Sequence, residues 1–270
     1  MHVIPPGYSF AAKATYKPSV HTLDDAMKFE SSIGVQKAVL VQPSVYADDN
    51  SGLLDALKKI GPSHGRGVMG INPDTIKAST LHEWHDLGVR GVRLNLVSTN
   101  AKFTEDSLTE TLHAYAKVVK SLKWVLQVFV AADTLPMLEK VVPKLDVKVC
   151  IDHFGSPQFP SLEKMQYPLD PYSVRGIPSL VNLLKTGDVW TKCSAPYRFD
   201  PDPAMRGFQS VTEELMKVAG DRIVFASDWP HSRYEGLDVK PFVEKLLGWT
   251  ESAGLTKKVF SDNAKELWDA

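Results

Sequence analysis

Imidazoles, carboxylates and guanidiniums recur in this chain at one kind of place, the polar residue that closes a short apolar run. His2, Gln42, Asn72, Arg93 with Asn95, Gln127, Asp152 with His153, Ser194 to Arg198, and Asp228 with His231 all stand there. Imidazoles and carboxylates take up and release protons in general acid–base chemistry. A guanidinium can hold a carboxylate through two parallel hydrogen bonds. Brought together, these groups handle protons at a reacting carbon while arginines hold the acidic end of a small substrate.

Such convergence requires strands that end on one side of a sheet. The runs KAVLV (37–41), GVMGI (67–71), VRGVRLN (89–95), WVLQVFV (124–130), VKVCID (147–152), VWTKCS (189–194) and RIVFAS (222–227) read as strands. Most are apolar on both faces, as parallel strands covered by helices are. Helical patterns alternate with them over Leu23 to Ile33, Gly52 to Ile60, Thr80 to Leu87, Leu108 to Lys120, Leu135 to Val142 and Ile177 to Lys185. Phe208 to Ala219, Val239 to Leu247 and Thr256 to Trp268 complete the set, with Gly34, Gly61, Gly88, Gly187 and Gly220 as expected C-terminal caps. The alternation predicts an α/β protein, a (β/α)8 TIM barrel forming a single domain over residues 1–270. Such barrels typically run to about 250 residues and carry their active sites at the C-terminal strand ends. Seven strands are legible. His2-Val3-Ile4 reads as the trailing end of the first, so that strand is expected to be truncated, with a homodimer as one way to cover the exposed edges. The irregular stretch from Ser156 to Arg175 reads as a long loop over the site.

Several strings are similar, in combination, to one family. Met-His-Val at the start, VLVQPS at 39–44, GVRGVRLN at 88–95, IDHFG at 151–155, KCSAPYR at 192–198 and SDWPH at 227–231 resemble the amidohydrolase-related family. Within it they resemble most the branch of 2-pyrone-4,6-dicarboxylate lactonases, and the resemblance runs to FSDNAKELW at 260–268. It implies a distorted (β/α)8 barrel that hydrolyses a small carboxylated lactone. Asp228, at the end of strand eight, is then the base toward water and afterwards the proton donor. His153 and His2 polarise the carbonyl or orient the water. Arg93 and Arg198 grip substrate carboxylate, Tyr16 joins them from the first loop, and Gln127 and His231 complete the expected substrate-binding set. Locally, Arg93 has Asp152 as an alternative partner, and Arg198 has Asp200 or Asp202.

Three departures from the family pattern shape the expectation. The usual Asp-x-His-x-His opening is represented only by its second histidine, His2. Strand five ends around Gln127 where metal-dependent members supply a histidine. His2, His153 and Asp228 could still hold a catalytic zinc, but the lactonase branch works without one, so no metal and no other cofactor is expected. The second arginine of the lactonase pattern is Thr99 here, which points to a monocarboxylate or a neutral lactone or ester. The rival readings are a metal-dependent decarboxylase of the same family and an inactive homologue.

Other features narrow the field. The 270 residues carry 31 Lys and Arg against 32 Asp and Glu, a formal net charge of −1, which argues against nucleic acid or an anionic membrane as partner. No apolar stretch approaches the ~20 residues of a membrane span. Two cysteines, Cys150 and Cys193, lie inside apolar strands and read as buried reduced thiols of a cytoplasmic protein. The HEWH of 82–85 has i, i+3 histidines and reads as a solvated helix face. No G-x-S-x-G elbow is present, which removes a serine-hydrolase reading.

Overall fold

The computed structural model describes residues 1–97 and 103–270. Seven parallel strands pair in chain order: β1 (Ala38–Val41), β2 (Gly65–Met69), β3 (Val89–Asn95), β4 (Val125–Phe129), β5 (Val149–Ile151), β6 (Val189–Cys193) and β7 (Ile223–Phe225). Among the described residues they are accompanied by helices α1 (Leu23–Ser32), α2 (Ser51–Ile60), α3 (Ala78–Asp86), α4 (Glu105–Lys120), α5 (Leu135–Val141), α6 (Ile177–Leu184), α7 (Arg206–Ala219), α8 (Lys240–Ser252) and α9 (Asn263–Trp268), with short 3-10 turns between them and a π-helical turn, Lys258–Asp262, leading into α9. Among the described residues no helix is long and apolar enough to cross a membrane. Each of the seven strands legible in the sequence is present, and β3 has the bounds read from the sequence.

The two faces of the sheet do different work. Residues such as Leu40, Met69, Val92, Leu94, Leu126, Val128 and Ile151 join the main core with the helices. The other face builds a second core from Val41, Val68, Val125, Cys150, Trp190 and Val224, closed by Leu267 and Trp268 of α9. Gly91 makes that closure fit, because a Cβ there would lie 2.8 Å from the Val125 carbonyl and 3.1 Å from the Trp268 ring. Alternate residues of a strand share a face. Two positions beyond this apolar layer the same face therefore carries Arg93, Gln127, Asp152, Lys192 and Ala226. Register supports the layering, with Gly91 beside Val125, Arg93 beside Gln127, and Cys150 beside Trp190.

Helix ends follow ordinary capping chemistry. Thr22 and Asp25 form a capping box at α1, as do Thr104 and Ser107 at α4. Gly34, Gly61, Gly88 and Gly187 all have positive φ, as the cap expectation requires. Gly220 does not. It ends α7 at φ −62°, and a Cβ there would strike the Met216 carbonyl and Leu255.

The eight-stranded expectation is met by seven strands and a short bridging segment. Met1–Val3 lie at the seam between the first and last strands, where the His2 N–H donates to the Trp229 carbonyl at 2.8 Å. The Val41 N–H donates to the Met1 carbonyl at 2.9 Å, and the terminal amine reaches the Val39 carbonyl. Ile4 then pairs with His21 as an isolated antiparallel bridge. His2, expected at the trailing end of a truncated first strand, is tied to both sides of the seam.

Candidate active site

A cavity of about 440 Å³ opens at the C-terminal ends of the strands. Its wall includes His2 from the seam, Arg93 and Asn95 from β3, Phe129 from β4, His153 after β5, Arg198 and Phe199 after β6, and Asp228 and Arg233 after β7. Thr15 and Tyr16 come from the first loop and Ser44 from the turn after β1. Three of the turns behind this wall are strained. His153 has φ +52°, Ala195 φ +55° and Asp228 φ +58°, left-handed values that cost a non-glycine residue roughly 1–3 kcal/mol. Such strain concentrates where side chains must be aimed.

Asp228 is the centre of the arrangement. Its Oδ2 accepts from the Tyr197 hydroxyl at 2.6 Å and from Arg198 Nε at 2.9 Å. Its Oδ1 lies 3.7 Å from His153 Nε2. Burial alone would raise the Asp228 pKa, but the neighbouring His153, the Arg198 guanidinium and the Tyr197 hydrogen bond hold it well below the usual carboxylate range. Asp228 is ionised at neutral pH. Burial and the carboxylate together push the Tyr197 phenol far above its ordinary range, so it stays protonated and donates to Asp228.

The two histidines are neutral and differ in what they offer. Burial lowers the His153 pKa despite Asp228 and Asp152 beside it, and its Nδ1 meets the Ser194 hydroxyl at 2.7 Å. Burial and Arg93 lower His2 to about 3. Its Nδ1 is 2.8 Å from the Val41 carbonyl, which can only accept, so the proton sits on Nδ1 and Nε2 keeps a lone pair.

Below the wall lies a buried charge network. Lys192 Nζ is 2.9 Å from Asp152 Oδ1, and Arg93 is 3.5 Å from Oδ2. Gln127 Nε2 donates to the same Oδ2 at 3.0 Å. Burial would raise Asp152, but Lys192 and Arg93 hold its carboxyl well below the usual range. A cavity of about 20 Å³ between these groups and His2, His153 and Asp228 has room for one water.

His2, Tyr16, Arg93, His153, Arg198 and Asp228 are thus brought to one wall. Gln127 stands behind Arg93 and faces the smaller cavity. His231 lies behind the Asp228 turn, with Nε2 3.1 Å from the Ser227 carbonyl and its ring edge against Tyr197 and Phe29. Thr99 lies outside the described residues. Arg198 pairs with Asp228 instead of Asp200 or Asp202, and Asp202 binds Arg206. The Ser156–Arg175 loop contributes no described residue to the wall. It packs instead on the α7 side, with Tyr167 donating to Asp202 and lying under Arg206. His82 is exposed, but His85 is half-buried and its Nδ1 accepts from the Trp124 indole at 2.9 Å, so only part of HEWH is a solvated face. Sequence reasoning did not single out Arg233, Tyr197 or Lys192. Tyr197 and Lys192 stand in the same KCSAPYR string as Arg198, the one signal that pointed to them.

The donor set does not suit a cation. Among the described residues no three histidines, cysteines, aspartates or glutamates form a group that could hold a metal ion. Asp228 Oδ2 is occupied by a guanidinium and a phenol, and Arg93 adds positive charge beside His2.

Comparison with known proteins places this geometry in context. The chain is 28% identical over 284 residues to a 2-pyrone-4,6-dicarboxylate hydrolase of Comamonas testosteroni, covering 99% of this chain and 88% of that protein. It is 25% identical to a 4-sulfomuconolactone hydrolase of Hydrogenophaga intermedia, covering 97% and 84%. The structure of a putative 2-pyrone-4,6-dicarboxylic acid hydrolase from Pseudomonas putida superposes with a TM-score of 0.79 at 28% identity, over 99% of this chain and 95% of that one. The family profile described as Amidohydrolase matches residues 1–270, and the chain belongs to that amidohydrolase family.

Proposed function

We propose that the protein is a hydrolase that opens a small carboxylated lactone or related cyclic ester, with Asp228 as general base and then general acid. The observation that carries this reading is the ionised Asp228, whose Oδ1 faces His153 Nε2 at 3.7 Å in an arginine-lined pocket. The names of its relatives, hydrolases of a pyrone dicarboxylate and of a sulfomuconolactone, support the same chemistry.

The reaction follows from the hydrogen-bonding roles. A water between Asp228 and His2 donates to both, since His2 Nε2 has only a lone pair to offer. His2 therefore orients the nucleophile. Ser194 donating to His153 Nδ1 leaves a proton on Nε2, which polarises the lactone carbonyl and stabilises the oxyanion. Asp228 takes a proton from water as the hydroxide oxygen adds to the carbonyl carbon. The ring C–O bond then breaks, and Asp228 returns the proton to the leaving oxygen. In the free protein Arg198 suppresses the basicity of Asp228. A substrate carboxylate that draws the guanidinium away raises that basicity when a substrate is present.

The proposed mechanism uses no metal and no organic cofactor. We read residues 1–270 as one domain, and the buried thiols Cys150 and Cys193 suit a reducing cytoplasm. The test is a panel of carboxylated lactones with and without EDTA, on protein purified without chelators. Chelator-resistant ring opening supports the mechanism. Activity that depends on a stoichiometric metal, or release of CO2 without ring opening, overturns it.

A further inference from the structure

We infer that Glu30 is a positioning residue of the active site, holding the Asp228 turn in place through the hydroxyl of Ser227. The inference rests on the lactonase reading and deepens it, since it names what fixes the proposed base.

Glu30 lies in the last turn of α1, 3% exposed, and has no ion-pair partner among the described residues. Burial raises its pKa against the opposing effect of the Ser227 hydrogen bond. Burying a carboxyl beside Leu23 and Ala26 costs free energy that an apolar side chain on the same helix face would not. Packing therefore does not account for Glu30, but its contact does. Glu30 Oε1 accepts a hydrogen bond from the Ser227 hydroxyl, 197 residues away in the chain. The Glu30 carbonyl accepts the N–H groups of Ile33 at 3.1 Å and Val35 at 2.9 Å, so the helix end that carries the carboxyl is itself fixed.

Ser227 passes that anchor to the residues around it. Its oxygen also accepts the Trp229 N–H at 3.3 Å, so one hydroxyl spans Asp228 from the residue before it to the residue after it. The Ser227 carbonyl meets His231 Nε2 at 3.1 Å, and the His231 N–H donates to the Asp228 carbonyl at 2.9 Å. Phe29, next to Glu30, stacks on Trp229 with ring centroids 6.5 Å apart and meets the His231 ring edge-on at 5.3 Å. The Trp229 carbonyl in turn accepts the His2 N–H at 2.8 Å, so the same anchor reaches the histidine that orients the water.

Asp228 needs such a hold. Its φ of +58° is a strained value, which persists only where the surroundings over-determine it. Strand β7 ends at Phe225, and Tyr197 and Arg198 both draw on Oδ2. A turn released at Ser227 leaves those two contacts to place the carboxylate, and the 3.7 Å spacing of Oδ1 from His153 Nε2 changes.

Single turnovers of the best lactone from the panel, across substrate concentration and beside a thermal melt, test the role. The variants are Glu30→Met, Glu30→Gln, Ser227→Ala, and Glu30→Met combined with Ser227→Ala. Met has the length of Glu but only a weak acceptor, whereas Gln keeps an oxygen for Ser227. The expected saturated rate of Glu30→Met is about tenfold slower, part of the ~10²-fold that a misplacement of about 1 Å costs. The half-saturating lactone concentration stays unchanged, because neither side chain lies on the pocket wall. Ser227→Ala slows to the same level, the double variant is no slower than either, and Glu30→Gln restores most of the rate. Nitrogen spectra of isotope-labelled histidines read the geometry without turnover. The His153 Nε2 resonance, assigned with His153→Asn, shifts in Glu30→Met and returns in Glu30→Gln. Folded variants at the wild-type rate, equal losses in Glu30→Met and Glu30→Gln, additive losses in the double variant, or an unshifted His153 resonance overturn the inference. If Glu30→Met does not fold, Ser227→Ala carries the same comparison of rate and spectrum. A wild-type protein that opens no lactone loses the hydrolase reading, and the His153 spectra then decide the positioning role alone.

Discussion

Replacing Asp152 with Asn tests whether the interior of the barrel is charge-balanced as described. The substitution keeps size and one carbonyl oxygen, so Gln127 can still donate to it, but removes the counter-ion of Lys192 at 2.9 Å and of Arg93 at 3.5 Å. The Asp152 and Arg93 side chains are 2% and 8% exposed and that of Lys192 10%, so water cannot replace the lost charge. Breaking a buried pair from one side costs about 3–5 kcal/mol. For a chain of this size that lowers Tm by roughly 6–15 °C. Urea unfolding followed by circular dichroism, with calorimetry for Tm, measures it. Removing the cation as well, in Asp152→Asn with Lys192→Met, recovers part of the loss, with a coupling of about 1–3 kcal/mol. A loss below ~1 kcal/mol in Asp152→Asn, with additive effects in the double variant, refutes a charged network under the site.

Stability should also depend on pH in a direction set by the histidines. His2 is lowered to about 3 and His153 is lowered by burial, so below the ordinary histidine value of 6.5 the unfolded chain takes up protons that the folded chain refuses. Their contribution is whole above pH 6.5 and falls with acidification, by up to about 1.4 kcal/mol per pH unit for each ring. Asp152 and Asp228 add a further loss as pH drops through the carboxylate range, and denaturant midpoints flat from pH 7 to 4.5 contradict both assignments. The thiols give a simpler readout. Burial pushes Cys150 up to about 12 and Cys193 higher, so an aromatic disulfide reagent leaves both unmodified in the native protein and titrates two thiols in urea; rapid native labelling counts against the buried placement.

The strands were legible because parallel strands in this fold are apolar on both faces, and the polar residues closing them marked most of the wall. Contacts between residues far apart in sequence were not. Asp200 and Asp202 lie next to Arg198 in the chain, yet the turn at Ala195 carries the arginine across to Asp228, a pairing no local pattern reveals. Lys192 sits in an apolar strand where a lysine reads as an exception, and only the alternation that puts it in layer with Asp152 explains its burial. Arg233 lies in a polar loop without periodicity, so nothing separates it from solvated arginines until Tyr16 is found beneath it. The prolines of 156–175 signalled a loop correctly but not which way it folds. The anchoring of His2 was not legible because its hydrogen bonds to Trp229 and Val41, from opposite edges of the sheet, leave no trace in its neighbours.

The central claim is that Asp228 moves the proton, and Asp228→Asn tests it most directly. Asn keeps the shape and an acceptor for Tyr197 but cannot take a proton from water. Ring opening of the best lactone from the panel is measured under single-turnover conditions, beside a thermal melt of the same sample. A variant that melts as a folded protein and opens the lactone at least ~10²-fold more slowly, the usual worth of a positioned base, is the predicted result. A folded variant that retains the wild-type rate within a few-fold contradicts the account.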